Sequence, residues 1–278
     1  MQFGVLIFAT DYSIRPDDFA RACEDRGFES AWFTEHTHIP ASRRSPWPLG
    51  GELPKDYWHT YDLFVCLMSA AAATKSIKLG SGICLVIEHD PILLAKQVAS
   101  VDQLSNGRLL FGIGGGWNAE EMENHGVPFR ARWKIVREKV LAMKRIWSEE
   151  EAEFHGEFVS FDKIWSYPKP VQPGGPPIWI GANSQWVFDR VAEYADGWMP
   201  IGGPGKGNLE KLREAVERRG RSMDDITLAL FGAPADEAAV KGRMEQGFTE
   251  LVFGLPAAPR DQVLPLLDRY AALARKLR

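Results

Sequence analysis

The sequence alternates short apolar segments, each typical of a buried strand, with longer segments typical of helices. The pattern opens with a predicted strand at residues 3–9, a helix at 16–26 that begins with a proline and ends before Gly27, and a second strand at 30–34. It recurs eight times and closes with a helix at Arg260–Leu277. Eight strand–helix units, without a change of composition between the halves, predict an α/β fold: a closed (β/α)8 TIM barrel forming one domain over residues 1–278.

Two irregular segments interrupt this alternation, one after the second predicted strand and one after the fourth predicted helix. Residues 38–60 are dense in proline and glycine and lack a sustained period. Long loops in compact domains are usually functional lids or disordered, and Trp47, Tyr57 and Trp58 favour an ordered lid. Residues 149–177 form the second insertion, which we expect to hold a small hairpin near 157–161.

Charge and cysteine content exclude several classes of protein. A formal charge of −4 disfavours binding to nucleic acids or to anionic membranes, which both need a basic face. Cys23, Cys66 and Cys84 are widely separated in apolar runs, as expected for reduced thiols. The N-terminus lacks the pattern of a signal peptide, and no apolar stretch is long enough to cross a bilayer. We therefore expect a cytoplasmic protein with a small-molecule partner.

The first candidate site follows the second predicted strand, where Glu35 and His36 are adjacent. Active sites of TIM barrels lie at the C-terminal ends of the strands, and imidazole suits proton transfer or hydrogen bonding near neutral pH. The alternative is a structural polar cap on the strand. A metal site at His36 and His38 has less support than either of these readings, because no cluster that could supply a third ligand is evident in the sequence. We predict no metal.

Two glycine-containing segments follow the third and fourth predicted strands. In the first, Gly82, Ile83 and Cys84 lie in a predicted strand at 77–86, where the glycines indicate either close approach of a flat ligand or a tight barrel corner. The second contains four candidate cofactor-binding residues, Gly114, Gly115, Gly116 and Trp117. Free N–H groups there attract anions, although a steric turn explains the glycines equally well, and the spacing lacks the later glycine of the dinucleotide fingerprint.

A fourth segment follows the fifth predicted barrel strand and contains Gly181, Ala182, Asn183 and Ser184. Asparagine and serine are favoured helix caps, but small residues with free N–H groups also bind phosphate.

Charged residues occur near the expected mouth as well. The acids Glu120, Glu121 and Glu123 are interpreted as a solvent-exposed helix face. Four arginines near the expected mouth offer contacts to an anionic ligand: Arg43, Arg44, Arg130 and Arg132.

Together these segments resemble a known family. The runs FTEHTHIP, IKLGSGICLV, LLAKQVASVDQLSNGR, FGIGGGWN, PPIWIGANS and ADGWMP occur in that order. They resemble the luciferase-like monooxygenase superfamily and, more narrowly, its branch of oxidoreductases that use the deazaflavin coenzyme F420. The resemblance extends from the first strand to at least Pro200.

The resemblance implies a flavin-type cofactor at the C-terminal face of the barrel. By this pattern Glu35 and His36 form an acid–histidine pair beside the ring, and His36 contacts the cofactor or acts as a base. Gly82–Ile83 matches a non-prolyl cis peptide whose bulge supports the ring, and the segments 114–117 and 181–184 match those near the cofactor tail and its phosphate. In sugar-phosphate dehydrogenases of this branch a glutamate follows the glycine run and a tryptophan follows the histidine, whereas this chain has Trp117 and Pro40.

These inferences predict hydride transfer between coenzyme F420 and a small organic substrate, by an enzyme that is expected to be a homodimer. The departures at Trp117 and Pro40 argue against sugar-phosphate oxidation. Two alternatives stay open: a monooxygenase that uses reduced FMN, and a barrel that binds flavin without turnover.

Overall fold

The computed structural model describes all 278 residues and contains ten strands. In chain order they are β1 (Gln2–Ile7), β2 (Ser30–Phe33), β3 (Lys78–Ser81), β4 (Leu109–Ile113), β5 (Ala152–His155), β6 (Ser160–Ile164), β7 (Ile178–Ile180), β8 (Gly197–Trp198), β9 (Thr227–Ala233) and β10 (Glu250–Gly254). Eight of them close into a parallel barrel in the order β1-β10-β9-β8-β7-β4-β3-β2. The predicted TIM barrel is therefore confirmed.

Nine α-helices surround the barrel. They are α1 (Pro16–Asp25), α2 (Leu63–Ala73), α3 (Pro91–Ser105), α4 (Ala119–Asn124), α5 (Arg132–Ser148), α6 (Val187–Tyr194), α7 (Asn208–Arg218), α8 (Glu237–Glu245) and α9 (Arg260–Leu277). Local capping chemistry sets several of these ends. Asp90 accepts hydrogen bonds from two N–H groups in the first turn of α3, and Asn106 ends that helix in the left-handed conformation.

The two insertions lie where the alternation of strand and helix predicted them. The first connects β2 to α2 and contains a short 3-10 helix at Lys55–Trp58. The second, between α5 and β7, contains the antiparallel pair β5 and β6, so the expected hairpin is present. None of the helices combines the length with the apolar character that is needed to cross a lipid bilayer.

The predicted third strand at 77–86 was too long. The strand β3 ends at Ser81, and the chain then bulges before a 3-10 turn at Val86–Glu88. The bulge still bonds to both neighbouring strands, because the Gly82 N–H donates to the Phe33 carbonyl at 2.6 Å and the Cys84 N–H donates to the Gly112 carbonyl at 2.8 Å. The apolar run therefore reflects burial next to the sheet rather than a continuous regular ladder.

A separate aromatic cluster fills the inside of the barrel. Trp32 and Trp179 pack 5.3 Å apart between ring centroids, and Phe231 contacts Trp32 edge-on at 5.1 Å. Glycine at position 80 makes room for this cluster, since a Cβ atom there would overlap the Trp32 indole. The Trp32 indole N–H donates to Ser30 Oγ at 2.7 Å, and Ser30 bonds the buried Glu250. The glycine of β3 is thus explained by packing inside the barrel.

We expect Gly80→Ala to lower the free energy of unfolding by about 1–3 kcal/mol, because the added methyl group must displace the buried Trp32 ring. Gly242→Ala in α8 is the matched control, since no heavy atom lies within 4 Å of its new Cβ. That change should stabilise the protein by about 0.5–1 kcal/mol through helix propensity. Urea unfolding measures both, and equal midpoints for Gly80→Ala and wild type would contradict the packing argument.

Candidate active site

Strand order brings the four candidate segments of the sequence together. Strands β2, β3, β4 and β7 are consecutive neighbours in the barrel. Because they are parallel, their C-terminal ends lie at one edge, and the segments that follow them emerge side by side. Residues 34–38, 82–85, 114–118 and 181–184 are these segments. The mouth of the barrel on this side is therefore the candidate active site.

The bulge after β3 occupies the middle of this edge. The Gly82–Ile83 peptide bond is cis, which confirms the expectation from the family resemblance. Ile83 is half-buried, and its side chain packs against the neighbouring glycines. A Cβ at Gly114 would overlap Ile83, and a Cβ at Gly181 would lie 2.9 Å from its Cγ2 atom. Gly114 and Gly181 therefore have a steric reason to be glycine, independent of any ligand.

His36 and Glu121 form a buried pair beside this bulge. The His36 Nδ1 atom lies 2.8 and 3.0 Å from the two carboxylate oxygens of Glu121, and the side chains are 7% and 1% exposed. His36 Nε2 makes no hydrogen bond to the protein and is left for a ligand. A carboxylate held against one imidazole nitrogen orients the ring and stabilises its protonated form.

This pair bears on two interpretations of the sequence. Glu35 and His36 contact different partners in the structure, and the role of the two residues beside a cofactor ring stays a prediction. The prediction that Glu120 and Glu121 lie on a solvent-exposed helix face was wrong, because the residues are 4% and 1% exposed. No local pattern identifies Glu121, whose partner is 85 positions away. Glu123 is exposed, as expected.

Glu35 instead points behind the bulge. Its carboxylate accepts a hydrogen bond from the Leu85 N–H at 2.5 Å and lies 2.9 Å from His89 Nε2. Glu35, Cys84 and His89 bring their polar atoms within 4.8 Å of one another, the donor types of a metal site. Burial and then the Glu35 carboxylate raise the pKa of the Cys84 thiol, and the Glu35 carboxylate already has partners in the Leu85 N–H and His89. This cluster fits a support for the bulge, and the absence of a metal stays a prediction.

Cys84 was predicted to contact a cofactor, and the structure buries it completely. Its side chain lies beside Glu35, whereas its backbone bonds to the adjacent strand through the Gly114 N–H, which donates to the Cys84 carbonyl at 3.1 Å. Of the three predicted bulge residues, Gly82 and Ile83 are the ones with partial exposure toward the mouth.

The insertion 38–60 is tied to α4 by the second buried acid. Glu120 accepts hydrogen bonds from the Ser45 N–H at 2.9 Å, from the Ser45 hydroxyl and from Ser42 Oγ at 3.3 Å. Burial opposes ionisation, but the hydrogen bonds from Ser45 lower the pKa of Glu120 to about 2. Arg44 reaches Glu123 on the same helix at 2.8 Å. Glu120 therefore anchors the segment that we interpret as a lid.

Aromatic rings from the lid and from the glycine run surround His36. Tyr57 and Trp117 lie 5.2 and 6.0 Å from the imidazole between ring centroids, and Trp47 packs on Tyr57 at 6.0 Å. Trp117 and His36, predicted to be neighbours, are thus in contact.

Two surface cavities lie elsewhere on the barrel. One, of about 190 Å³, lies over α7 and α8, and the other, of about 260 Å³, lies over α6 and α7. Neither cavity is lined by His36, Ile83 or Trp117. In this structure the lid aromatics occupy the space beside His36.

The glycines of 114–116 are explained by their neighbours. A Cβ at Gly115 would lie 2.7 Å from the Trp133 indole, and Gly116 adopts a φ of +66°.

In the segment 181–184, the Asn183 side chain makes two hydrogen bonds with the backbone of Ile201. Its Nδ2 atom donates to the carbonyl at 2.8 Å, and its Oδ1 atom accepts from the N–H at 3.2 Å. Neither Asn183 nor Ser184 caps α6, whose N-cap is Trp186 without a side-chain bond. Asn183 and Ser184 are exposed, and Ala182 accepts a hydrogen bond from Trp198 through its carbonyl.

A further buried acid, which the sequence did not single out, lies next to this site. The Glu88 side chain is 1% exposed, its Oε2 atom lies 3.6 Å from His125 Nε2 and 3.5 Å from the Thr37 hydroxyl, and its Oε1 atom has no partner. Burial, followed by the nearby charges of Glu121 and Glu35, raises the pKa of Glu88 to about 9. Glu88 is therefore protonated at neutral pH.

The fold and the site together define a parallel TIM barrel with a bulge and a histidine–carboxylate pair at its C-terminal face. Residues 2–248 match the model of the family described as luciferase-like monooxygenase. The chain belongs to this family.

Two curated relatives and two solved structures illustrate the relationship. An uncharacterized protein of Mycobacterium tuberculosis (strain H37Rv) is 38% identical over 98% of both chains. An F420-dependent glucose-6-phosphate dehydrogenase of Kineococcus radiotolerans is 30% identical over 75% of this chain and 60% of its own length. A monooxygenase, RslO1 from Streptomyces bottropensis, and an F420-dependent secondary alcohol dehydrogenase have the same fold, each with a TM-score of 0.81 and 18% identity, covering 100% of this chain and 99% of theirs.

Replacement of Glu88 tests its protonation. The raised pKa means that the folded protein holds a proton that the unfolded chain releases above a pH of about 4.5, so the contribution of this group to stability falls as the pH rises. Glu88→Gln mimics the neutral acid and removes that loss. The unfolding free energy of the variant, relative to wild type, should therefore increase between pH 5 and pH 8, by about 2 kcal/mol or more.

Glu123→Gln is the control for this experiment, because Glu123 is exposed and its contact with Arg44 is on the surface. Urea unfolding at pH 5, 6, 7 and 8 gives the difference for each variant. A Glu88→Gln curve that runs parallel to wild type across this range would show that Glu88 is ionised in the folded protein.

Proposed function

We propose that this protein is an oxidoreductase that uses coenzyme F420 and transfers hydride to or from a small organic substrate. The observation that carries the proposal is the buried His36–Glu121 pair beside the Gly82–Ile83 bulge, with Nε2 of the imidazole left for a ligand. When bound, the deazaflavin supplies the acceptor or donor of hydride. In oxidation of an alcohol, His36 would take the hydroxyl proton as the hydride leaves the carbon, and Glu121 would stabilise the resulting imidazolium.

Polar atoms around the mouth fit such a cofactor. Asn118 Nδ2 is buried beside the glycine run and has no partner, although Asn118 Oδ1 caps α4 by accepting from the Glu121 N–H. Arg43 Nη1 also lacks a partner, and its guanidinium lies 5.9 Å from the centroid of Trp117. Buried donors without partners are costly, so they point to a ligand that accepts hydrogen bonds. In this proposal Ile83 supports one face of the ring, and residues 114–117 and 181–184 lie along its tail.

The substrate class differs from that of the glucose-6-phosphate dehydrogenase relative. Position 117 is an indole and position 40 is a proline, so this chain lacks the acid and the tryptophan expected of a sugar-phosphate oxidoreductase there. The rings of Tyr57, Trp117 and Trp47 instead make an apolar surface beside His36. We infer that the substrate is a small, mainly apolar alcohol or carbonyl compound. The homodimer and the cytoplasmic location stay predictions.

A monooxygenase that uses reduced FMN is the second candidate. The lid favours it in one respect, because Glu120 fixes Ser45 of the segment 38–60 and Tyr57 of the same segment packs on His36. Chemistry with oxygen on a flavin needs a site from which water is excluded.

Cofactor binding separates these candidates. The proposal predicts that fluorescence titration of the purified protein gives tighter binding of F420 than of FMN, by at least about tenfold. FMN binding without F420 binding would contradict the proposal and favour the monooxygenase. If reduced FMN is bound, stopped-flow oxidation by air then distinguishes an oxygenase from a barrel that binds flavin without turnover.

Replacement of the histidine pair tests the proposed acid–base role. With the best substrate from a panel of small alcohols and carbonyl compounds, His36→Asn should lower kcat by about 10²–10⁴-fold, since it removes the proton acceptor. Glu121→Gln should lower kcat less, by about 10-fold, because the imidazole remains but loses its charge partner. Glu123→Gln on the same helix is the control and should match wild type. Wild-type kcat in His36→Asn, with F420 still bound, would assign the proton transfer to another group.

A further inference from the structure

Two half-buried arginines near the mouth have guanidinium atoms that the fold alone does not satisfy. Arg132 begins α5 and Arg190 lies on α6. The Arg132 Nε atom and the Arg190 Nη1 atom are both shielded from solvent and have no hydrogen-bond partner. The hydroxyl of Tyr194, one turn after Arg190, is likewise buried without a partner. Arg132 Nη1 donates to the Phe129 carbonyl at 2.9 Å, and its guanidinium lies 3.9 Å from the centroid of the Phe129 ring. Three other donors in this region, Arg132 Nε, Arg190 Nη1 and the Tyr194 hydroxyl, are unused.

The nearby carboxylates are paired with other arginines. Asp189 lies 3.0 Å from Arg218, and Glu193 lies 2.6 Å from Arg137. Burial lowers the pKa of both Arg132 and Arg190; for Arg190, Tyr194 and Asp189 oppose this and the charge of Arg132 adds to it. Burial raises the pKa of Tyr194, which stays a neutral donor. The region thus carries two positive charges without a matching negative charge on the chain, an arrangement that costs free energy unless an anion is bound.

Contacts connect this region to the candidate active site. The Arg190 guanidinium stacks on the Trp133 indole at 4.1 Å from its centroid, and Trp133 packs against Gly115 of the glycine run. Gly114 in the same run packs against Ile83 of the bulge. The helix that carries Arg190 follows the segment 181–184. Arg190 is therefore linked to the bulge through Trp133 and the glycine run.

We propose that Arg132, Arg190 and the Tyr194 hydroxyl form the binding site for an anionic group, a phosphate or a carboxylate, in the tail of the cofactor. This inference rests on the proposed function, because it takes the ring of that cofactor to lie at the Ile83 bulge. Guanidinium groups bind phosphate and carboxylate oxygens through paired hydrogen bonds, which the unused Nε and Nη1 atoms are able to supply. The site makes affinity depend on the charge of the tail and not on the ring alone.

Three forms of the deazaflavin test this directly: complete F420, the form with the phosphate but without glutamates, and the uncharged deazaflavin alcohol. Arg190→Gln and Arg132→Gln should each weaken binding of complete F420 by about tenfold, measured by fluorescence titration. Binding of the alcohol should not change. An equal loss for both charged forms assigns the site to the phosphate, whereas a loss confined to complete F420 assigns it to a glutamate carboxylate.

Arg213→Gln is the matched control, since Arg213 is exposed on α7 and makes no ion pair. Thermal unfolding of the ligand-free proteins supplies a second measurement. Because Arg190→Gln loses a half-buried cation that has no carboxylate partner, its midpoint should equal or exceed that of wild type. If Arg190→Gln does not fold, Arg190→Met keeps the stem on Trp133 and removes only the charge.

The outcomes are distinguishable from those of the proposed function. If the variants weaken the alcohol as much as complete F420, or leave all three forms unchanged, the tail site is wrong while the F420 proposal stands. If wild type binds none of the three forms, both inferences fall together. In wild type, higher salt should weaken complete F420 and not the alcohol, and this difference should shrink in Arg190→Gln.

Discussion

The bulge at Gly82–Ile83 is the constraint on which the geometry of the mouth depends. The bulge departs from β3 but still bonds to β2 and β4, so its position is set by both neighbours. Ile83 then determines that positions 114 and 181 on the adjoining segments are glycine. Behind it, the Glu35 carboxylate holds the Leu85 N–H and His89. Side chains from four parallel strands are thus arranged around one point of the barrel edge, which rigid elements can hold more precisely than free loops can.

Burial of several acids near that point is balanced by specific partners. Glu121 faces His36, Glu35 faces His89, and Glu120 receives hydrogen bonds from Ser45. Glu88 is the one with an unpartnered oxygen, and burial together with its anionic neighbours raises its pKa to about 9. Keeping this acid neutral avoids crowding like charges in a region of low dielectric.

Members of one fold family support different reactions, so function must be argued from the site. The family description and an F420-dependent relative agree with a flavin-type cofactor. Here Trp117 and Pro40 replace groups expected for sugar-phosphate chemistry, while the lid adds Trp47 and Tyr57 beside the histidine. Arg132 Nε and Arg190 Nη1, which have no hydrogen-bond partner, belong to α5 and α6. We therefore propose separate groups of residues for ring chemistry and for recognition of the cofactor tail.

The sequence by itself determined the barrel, its two insertions and, through family resemblance, the cis peptide at Gly82–Ile83, because periodicity, caps and short motifs are local properties of the chain. It did not reveal that His36 pairs with Glu121 and Glu35 with His89, that Glu120 anchors the lid, or that β3 stops at Ser81. Only the tertiary structure decided these points. The partners are 54 to 85 residues apart, and closure of the barrel brings together segments whose spacing along the chain carries no record of which side chains will meet.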